Sequence, residues 1–306
     1  MAAYPVHKEA YDAVNHSIFV IGPGRTGSTL SGRIVQSFRG IEYAYEPAFL
    51  HSLIPMVARL ATDDFRLLFE TYLYEDVFMG LVTGRSWNFN KSDESSILKV
   101  KSETEINERI NVSMGKLKAM EKARRAVLAF KLTDVVPFVR KLKALYPGMR
   151  FVVTHREAPG CLSSLLKKEW FSDATLKSVG LVWNGTFENG YLHPHWLSSA
   201  ARPRWVGMTE LERAALYYRE MYSSLDGVGG LYVFSYDRLI REPKAAIGDL
   251  ATWIGAEFSE GTEGIIGSVR DNSVTDLSLL DALPAVDRAE TMKFSDSREL
   301  AKRIAR

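Results

Sequence analysis

The chain has 306 residues, 46% of them hydrophobic and 25% charged, the balance of a soluble globular protein and not of a disordered, collagen-like or membrane-spanning one. Lys and Arg number 39 against 37 Asp and Glu, and the net charge of +2 gives no argument for nucleic acid or a membrane surface as partner. The one cysteine, Cys161, excludes an intrachain disulfide and a cysteine-rich zinc site, and fits a reducing compartment.

Residues 1–10 include Lys8 and Glu9 and hold no long apolar run, so no signal peptide is expected. No later segment approaches the roughly 20 apolar residues of a transmembrane helix, and the expected location is cytoplasmic. The first clear element is Ser17–Ile21, an apolar β-branched run that reads as a buried strand. The turn Gly22-Pro23-Gly24-Arg25-Thr26-Gly27-Ser28-Thr29 follows, then Leu30, Ile34, Val35 and Phe38 at helical spacing. Ile41–Tyr45 reads as a second strand, ended by Glu46-Pro47. Residues 48–80 read as helical, 81–102 as loop and 103–122 as a charged helix. A third strand is expected at Ala126–Phe130, a helix at Asp134–Leu145, a fourth strand at Met149–Thr154 and a helix at about Pro159–Phe171. Residues 172–207, rich in Gly, Pro and Trp, read as an irregular insertion or lid. Thr209 caps a helix to Leu225, Leu231–Phe234 is a fifth strand, and 243–255 a last helix. The polar tail from Phe258 gives no clear pattern. Strands alternating with helices imply an α/β fold with a parallel sheet covered on both faces.

A glycine loop between a strand and a helix is an anion site, because unpaired backbone N–H groups and the positive helix end point at one spot. Three ligands compete for it. Gly22-x-Gly24-x-x-Gly27, with Glu42 20 residues on, matches a dinucleotide fingerprint, although Arg25 interrupts the loop and Ser28-Thr29 open the helix. Gly22-x-x-x-x-Gly27-Ser28-Thr29 matches an ATP or GTP loop in which Ser28 replaces the lysine that neutralises the β- and γ-phosphates. The third is a nucleotide whose 5′-phosphate carries a sulfuryl group.

Arg25-Thr26-Gly27-Ser28-Thr29 resembles the 5′-phosphosulfate loop of sulfotransferases that use 3′-phosphoadenylyl sulfate (PAPS). A second anion site strengthens the likeness. Arg156 ends the fourth strand and Ser164 follows it by eight residues, and this resembles the family's 3′-phosphate motif in spacing and context. Phe234-Ser235-Tyr236-Asp237-Arg238-Leu239 with Glu242-Pro243 and Trp253-Ile254-Gly255 looks like a late structural segment of the same family. The resemblance covers roughly 17–50 and 126–255. It implies a P-loop-NTPase-like central parallel sheet of about five strands flanked by helices on both faces. It further implies a single domain over 1–306, with insertions at about 60–122 and 172–207. The implied reaction is transfer of a sulfuryl group from PAPS to a hydroxyl, or less readily an amine, of a small molecule, leaving PAP (3′,5′-adenosine bisphosphate).

The same resemblance assigns roles. Gly24, Arg25, Thr26, Gly27, Ser28 and Thr29 would hold the 5′-phosphosulfate; Arg156 and Ser164 the 3′-phosphate; Arg270 a further contact from a late loop. One branch of the family takes its base from a Lys-x-His after the third strand, but here Lys131-Leu132-Thr133 puts a threonine in that place. Another branch uses a Glu after the second strand, and Glu46, 21 residues past Arg25, fits that position. Arg25 and Lys131 would then neutralise charge on the transferring group. His155 reads as structural or as lining the 3′-phosphate side, and Cys161 as core. No metal is required, and His193-x-His195 lacks ligand spacing. Tyr72, Tyr74, Phe78, Trp87 and Phe89, in a mildly acidic stretch, offer an aromatic wall for a neutral or cationic acceptor, or else a helical core. A P-loop kinase or NTPase and a non-catalytic nucleotide-binding protein are the rival readings, and a homo-oligomer is left open.

Overall fold

Five short apolar runs pair side by side in the computed structural model, which describes residues 8–110, 114–178, 185–270 and 276–305. They are β1 (Ile18–Ile21), β2 (Ile41–Tyr45), β3 (Val127–Lys131), β4 (Arg150–His155) and, after a hairpin of β5 (Gly185–Glu188) and β6 (Tyr191–Pro194), β7 (Leu231–Ser235). The five lie in the order β2-β3-β1-β4-β7, and every neighbouring pair is parallel. Register is set at the centre, where Ile18 faces Ala129 on one side and Arg150 on the other. Successive strand residues point to opposite faces, and every residue of β1 is buried, as is all of β4 but its first residue. Both faces of the sheet are therefore covered, as the unbroken apolar runs require. Because the strands are parallel, the loop after β1, Glu46 after β2, Lys131 at the end of β3, Arg156 after β4 and Tyr236 after β7 all emerge at one edge.

Several elements differ from the sequence expectation. The segment 48–80 is broken into Ala48–Leu53, a tight turn Ile54–Ala58 and Thr62–Thr71. The last continues through a widened turn, Tyr72–Phe78, into Met79–Val82. The helix expected over 103–122 is two helices, Glu103–Ile110 and Lys116–Ala123. The helix after β3 starts at Val139, because Asp134 takes a left-handed backbone (φ 69°) and Pro137 leads a short tight turn. The described residues of 172–207 hold more regular structure than expected. Asn189 and Gly190, both at positive φ (53° and 77°), make the turn of the β5–β6 hairpin. Asn-Gly is the strongest short-range hairpin signal, and the sequence reading passed over it. Helix Glu210–Ser223 begins with a full capping box between Thr209 and Glu212. Among its described residues, the tail that gave no pattern includes the α-helices Glu260–Ser268, Ala285–Met292 and Ser297–Ala305 and a tighter helical turn, Leu277–Ala282.

Candidate active site

The loop after β1 is shaped by its contacts. Gly27 sits at φ 85°, and a Cβ there would lie 2.5 Å from the Tyr236 ring. A Cβ on Gly24 would lie 2.4 Å from the Trp170 ring, so the chain passes Trp170 only as glycine. The Thr26 hydroxyl is buried, bonded to the Pro23 carbonyl (2.7 Å) and to the Thr154 hydroxyl of β4 (2.7 Å). Arg25 adopts φ 68°, and its Nε donates to Ser164 Oγ at 3.1 Å. Ser28 opens helix Ser28–Ser37, whose first N–H groups have no partner within the helix.

A cleft of about 420 Å³ opens beside this helix end. Its lining includes Arg25, Gly27, Ser28, Thr29, Arg156, Ser164 and Arg270, all singled out in the sequence. Arg156 is 8% exposed and lies 4.9 Å from the centre of the Tyr236 ring. Arg270 donates to its neighbouring Val269 carbonyl at 2.7 Å. Gly24 and Thr26 are not in the lining; they shape the loop from behind. The cleft is thus strongly cationic and ends on a helix N-terminus, and backbone and guanidinium donors there suit phosphate-type oxygens.

Glu46 and Lys131 stand at the neighbouring strand ends, outside that lining. The pairing of β2 with β3 sets Tyr45 opposite Lys131, and Lys131 Nζ reaches Glu46 Oε1 at 2.5 Å. Lys131 is buried, whereas the Glu46 side chain is 33% exposed and left-handed at its backbone (φ 42°). Lys131 also lies over the Tyr45 ring, 4.6 Å from its centre. The ion pair engages one of the two carboxylate oxygens.

The sequence reading missed the group that joins these two halves. Asp134 Oδ1 accepts from the Tyr217 phenol, whose oxygen accepts from the Gly24 N–H at 2.5 Å. Asp134 Oδ2 accepts from Thr133 at 2.9 Å, so the threonine standing in the family's histidine position serves this carboxyl. Burial pushes Asp134 up to about 7, with the Glu46 charge adding to the rise and the Tyr217 and Thr133 hydrogen bonds and Lys131 opposing it. Its only sequence signal was a lone acid after a strand. The cleft also takes in Arg33, Glu94 and Tyr236. Arg33 was legible at four residues from Thr29, one helix turn away, while Glu94 carried no signal.

Other expectations divide. His155 is fully buried; its Nε2 meets the Phe294 carbonyl (2.8 Å), and burial lowers its pKa, so it is structural and does not line the cleft. Cys161 is core, and burial pushes its thiol up to about 12. The five aromatic residues do not form one wall; four divide between a groove and the helical core. Tyr72 and Trp87 line one groove with Tyr45 and Pro47, while Tyr74 turns to the first helix, its phenol on Glu9 at 3.2 Å, and Phe78 is buried. Phe89 stays exposed. Among the described residues no group of three His, Cys, Asp or Glu is arranged to hold a metal, and no helix is long and apolar enough to cross a membrane.

A model of the sulfotransferase family matches residues 17–260. The chain is similar to the sulfotransferase domain of the Synechococcus PCC 7002 olefin synthase, with 14% identity over 93% of this chain and 94% of that one and a TM-score of 0.47. The sulfotransferase domain of the curacin biosynthetic pathway gives 12% identity over 94% and 96%, with a TM-score of 0.46. For sulfotransferase STF9 from Mycobacterium avium the identity is 13% over 85% and 69%, with a TM-score of 0.39. No curated protein is similar enough in sequence to be matched.

Proposed function

Because the chain belongs to the sulfotransferase family, we propose that it moves a sulfuryl group from PAPS to a hydroxyl of a small-molecule acceptor and releases PAP. The observation that carries this reading is the meeting, at one sheet edge, of the helix-end cleft lined by Arg25, Arg156, Ser164 and Arg270 with the Lys131–Glu46 pair beside it. PAPS supplies an activated sulfur bonded to a phosphate leaving group. Arg156, Ser164 and Arg270 would bind its 3′-phosphate. Arg25, the loop N–H groups and the Ser28 and Thr29 hydroxyls would hold the 5′-phosphosulfate.

The acceptor oxygen attacks sulfur in line as the sulfur–oxygen bond to the leaving phosphate breaks. Glu46 takes the acceptor's proton, and Lys131 holds that carboxylate in place until it does. Arg25 and Lys131 offset the charge that grows on the transferring and leaving oxygens. The acceptor would approach from the Glu46 side, where Tyr45, Pro47, Tyr72 and Trp87 line a groove of about 260 Å³.

Calorimetric titration with PAP, with ATP and Mg²⁺ in parallel, tests the donor. PAP is expected to bind and ATP to bind far more weakly; the reverse order would favour a kinase or NTPase and sink the reading. Arg156→Ala should weaken PAP roughly 10- to 100-fold, the loss of charge-assisted bonds. Glu46→Gln should cut turnover roughly 10²- to 10⁴-fold with PAP affinity unchanged. Equal loss of binding in Glu46→Gln would remove it from the role of base.

A further inference from the structure

Among the residues that line the arginine cleft there is one carboxylate, Glu94. Arg25 is engaged by Ser164, Arg156 lies over Tyr236, and Arg270 bonds its own neighbour's carbonyl. Arg33 is instead held by Glu94, Nη1 to Oε2 at 2.7 Å, and Glu94 Oε1 also meets Lys99 at 3.2 Å. Arg33 projects from helix Ser28–Ser37 one turn beyond Thr29, on the face that lines the cleft. Its Nε is buried with no partner, so Glu94 does not use all of the fork's donors.

Glu94 arrives from outside the sheet. Its segment folds on itself through short bonds: Asn88 Oδ1 to Asn90 N (2.9 Å), Asn90 Oδ1 to Ser92 N (3.1 Å) and Asp93 Oδ1 to Ser95 N (2.7 Å). These bonds do not involve the Glu94 side chain. With its side chain 56% exposed, the carboxylate is able to turn out to water without the loop unfolding. A carboxylate in a cleft for a multiply charged anion repels that anion and occupies a guanidinium the anion would use.

We propose that Arg33 is a further ligand for the phosphate groups of the donor, held in reserve by Glu94, and that the Arg33–Glu94 pair breaks when the donor enters. This rests on the reading of the cleft as the PAPS site. Arg33 then trades one carboxylate for a phosphate, with its geometry already set. Glu94 thereby lowers the affinity of the cleft for every anion, and one that has enough charge and oxygens to take over Arg33 recovers most of that cost.

The test is calorimetric titration of PAP into the full chain at low and at high salt, for wild type, Glu94→Gln, Arg33→Gln and the double variant. Both side chains are at the surface or near it, and circular dichroism checks that each variant is folded. Glu94→Gln is expected to bind PAP roughly 2- to 5-fold tighter at low salt, the gain shrinking as salt rises. Arg33→Gln should bind roughly 10-fold weaker, and in its background Glu94→Gln should add much less than it does alone. Unchanged or weaker binding by Glu94→Gln would overturn the proposal; weaker binding would make Glu94 a contact of the nucleotide itself. Purely additive effects would overturn it too. Absence of PAP binding in the wild type would sink the donor assignment, and with it this inference, and would be seen before any variant is compared.

Discussion

Asp134 has the clearest pH signature of any single side chain at the site. In the unfolded chain its carboxyl ionises near 3.8, and in the folded chain at about 7. Between those values the folded chain keeps a proton that the unfolded chain has released. Stability therefore falls as pH rises through that window, by about 1.4 kcal/mol per unit at most, and levels off above it. Asp134→Asn has no such proton. The melting temperature of wild type relative to Asp134→Asn is expected to drop from pH 5 to pH 8, by roughly a few degrees. A constant difference across that range would mean that the carboxyl is not buried as described. In the Lys131–Glu46 pair the carboxylate stays partly open to water and the lysine does not. That asymmetry suits the role proposed for Glu46, a base that meets an incoming acceptor.

At the scale of elements, the segment 172–207 depends on one arginine of helix Glu210–Ser223. Arg213 is 1% exposed, and it donates to the carbonyls of Phe171 (3.0 Å), Trp205 (3.0 Å) and Val206 (2.9 Å) and to Asp173 (2.7 Å). The hydrogen bond from Arg213 holds the Asp173 carboxyl well below the usual carboxylate range. Trp196, Trp205, Phe171 and Tyr217 pack edge to face or tilted against one another, and the Arg213 guanidinium lies over the Trp205 ring. Arg213→Met keeps much of the volume but removes a donor from the buried Phe171 and Trp205 carbonyls, at about 1–3 kcal/mol each, and from the more exposed Val206 carbonyl. Urea unfolding is expected to show a loss of at least about 2 kcal/mol, with a weaker near-ultraviolet tryptophan signal. A variant as stable as wild type would show that the hairpin and its tryptophans stand without that node.

At the scale of the molecule, the last helices close the far side of the sheet. Helix Ser297–Ala305 packs on β7, the Arg303 and Ile304 carbonyls accept from Gly227 and Gly229 N–H, and Arg303 pairs with Asp226. The Phe294 carbonyl takes bonds from His155 and Tyr218, and Ser295 Oγ takes the Ala158 N–H that follows β4. The segment thus supports the strand end that carries Arg156. Removing 294–306 should strip a partner from three buried groups, His155, Tyr218 and the Ala158 N–H, and uncover β7, an edge strand of the sheet. The shortened chain is expected to lose soluble yield and to melt over a broad range; a sharp transition at the wild-type temperature would contradict this.

The sequence by itself determined the parallel α/β sheet, the glycine loop between β1 and its helix, and the cations at the strand ends. Those signals are local. A buried parallel strand is an unbroken apolar run, an anion loop is a short spacing of glycines and hydroxyls, and a residue at a strand end is placed by the strand. The family was legible for the same reason. Only the tertiary structure decided how charges meet. Lys131 and Glu46 are 85 residues apart, and Arg33 and Glu94 are 61 apart. Asp134 has its proton affinity from burial beside Tyr217, 83 residues further on. The aromatic residues divide because Tyr72 and Tyr74, near neighbours in sequence, face different partners where the helix turns widen. Electrostatic pairing and desolvation depend on distance and exclusion of water in the folded chain, and neither is a property of any short stretch of sequence.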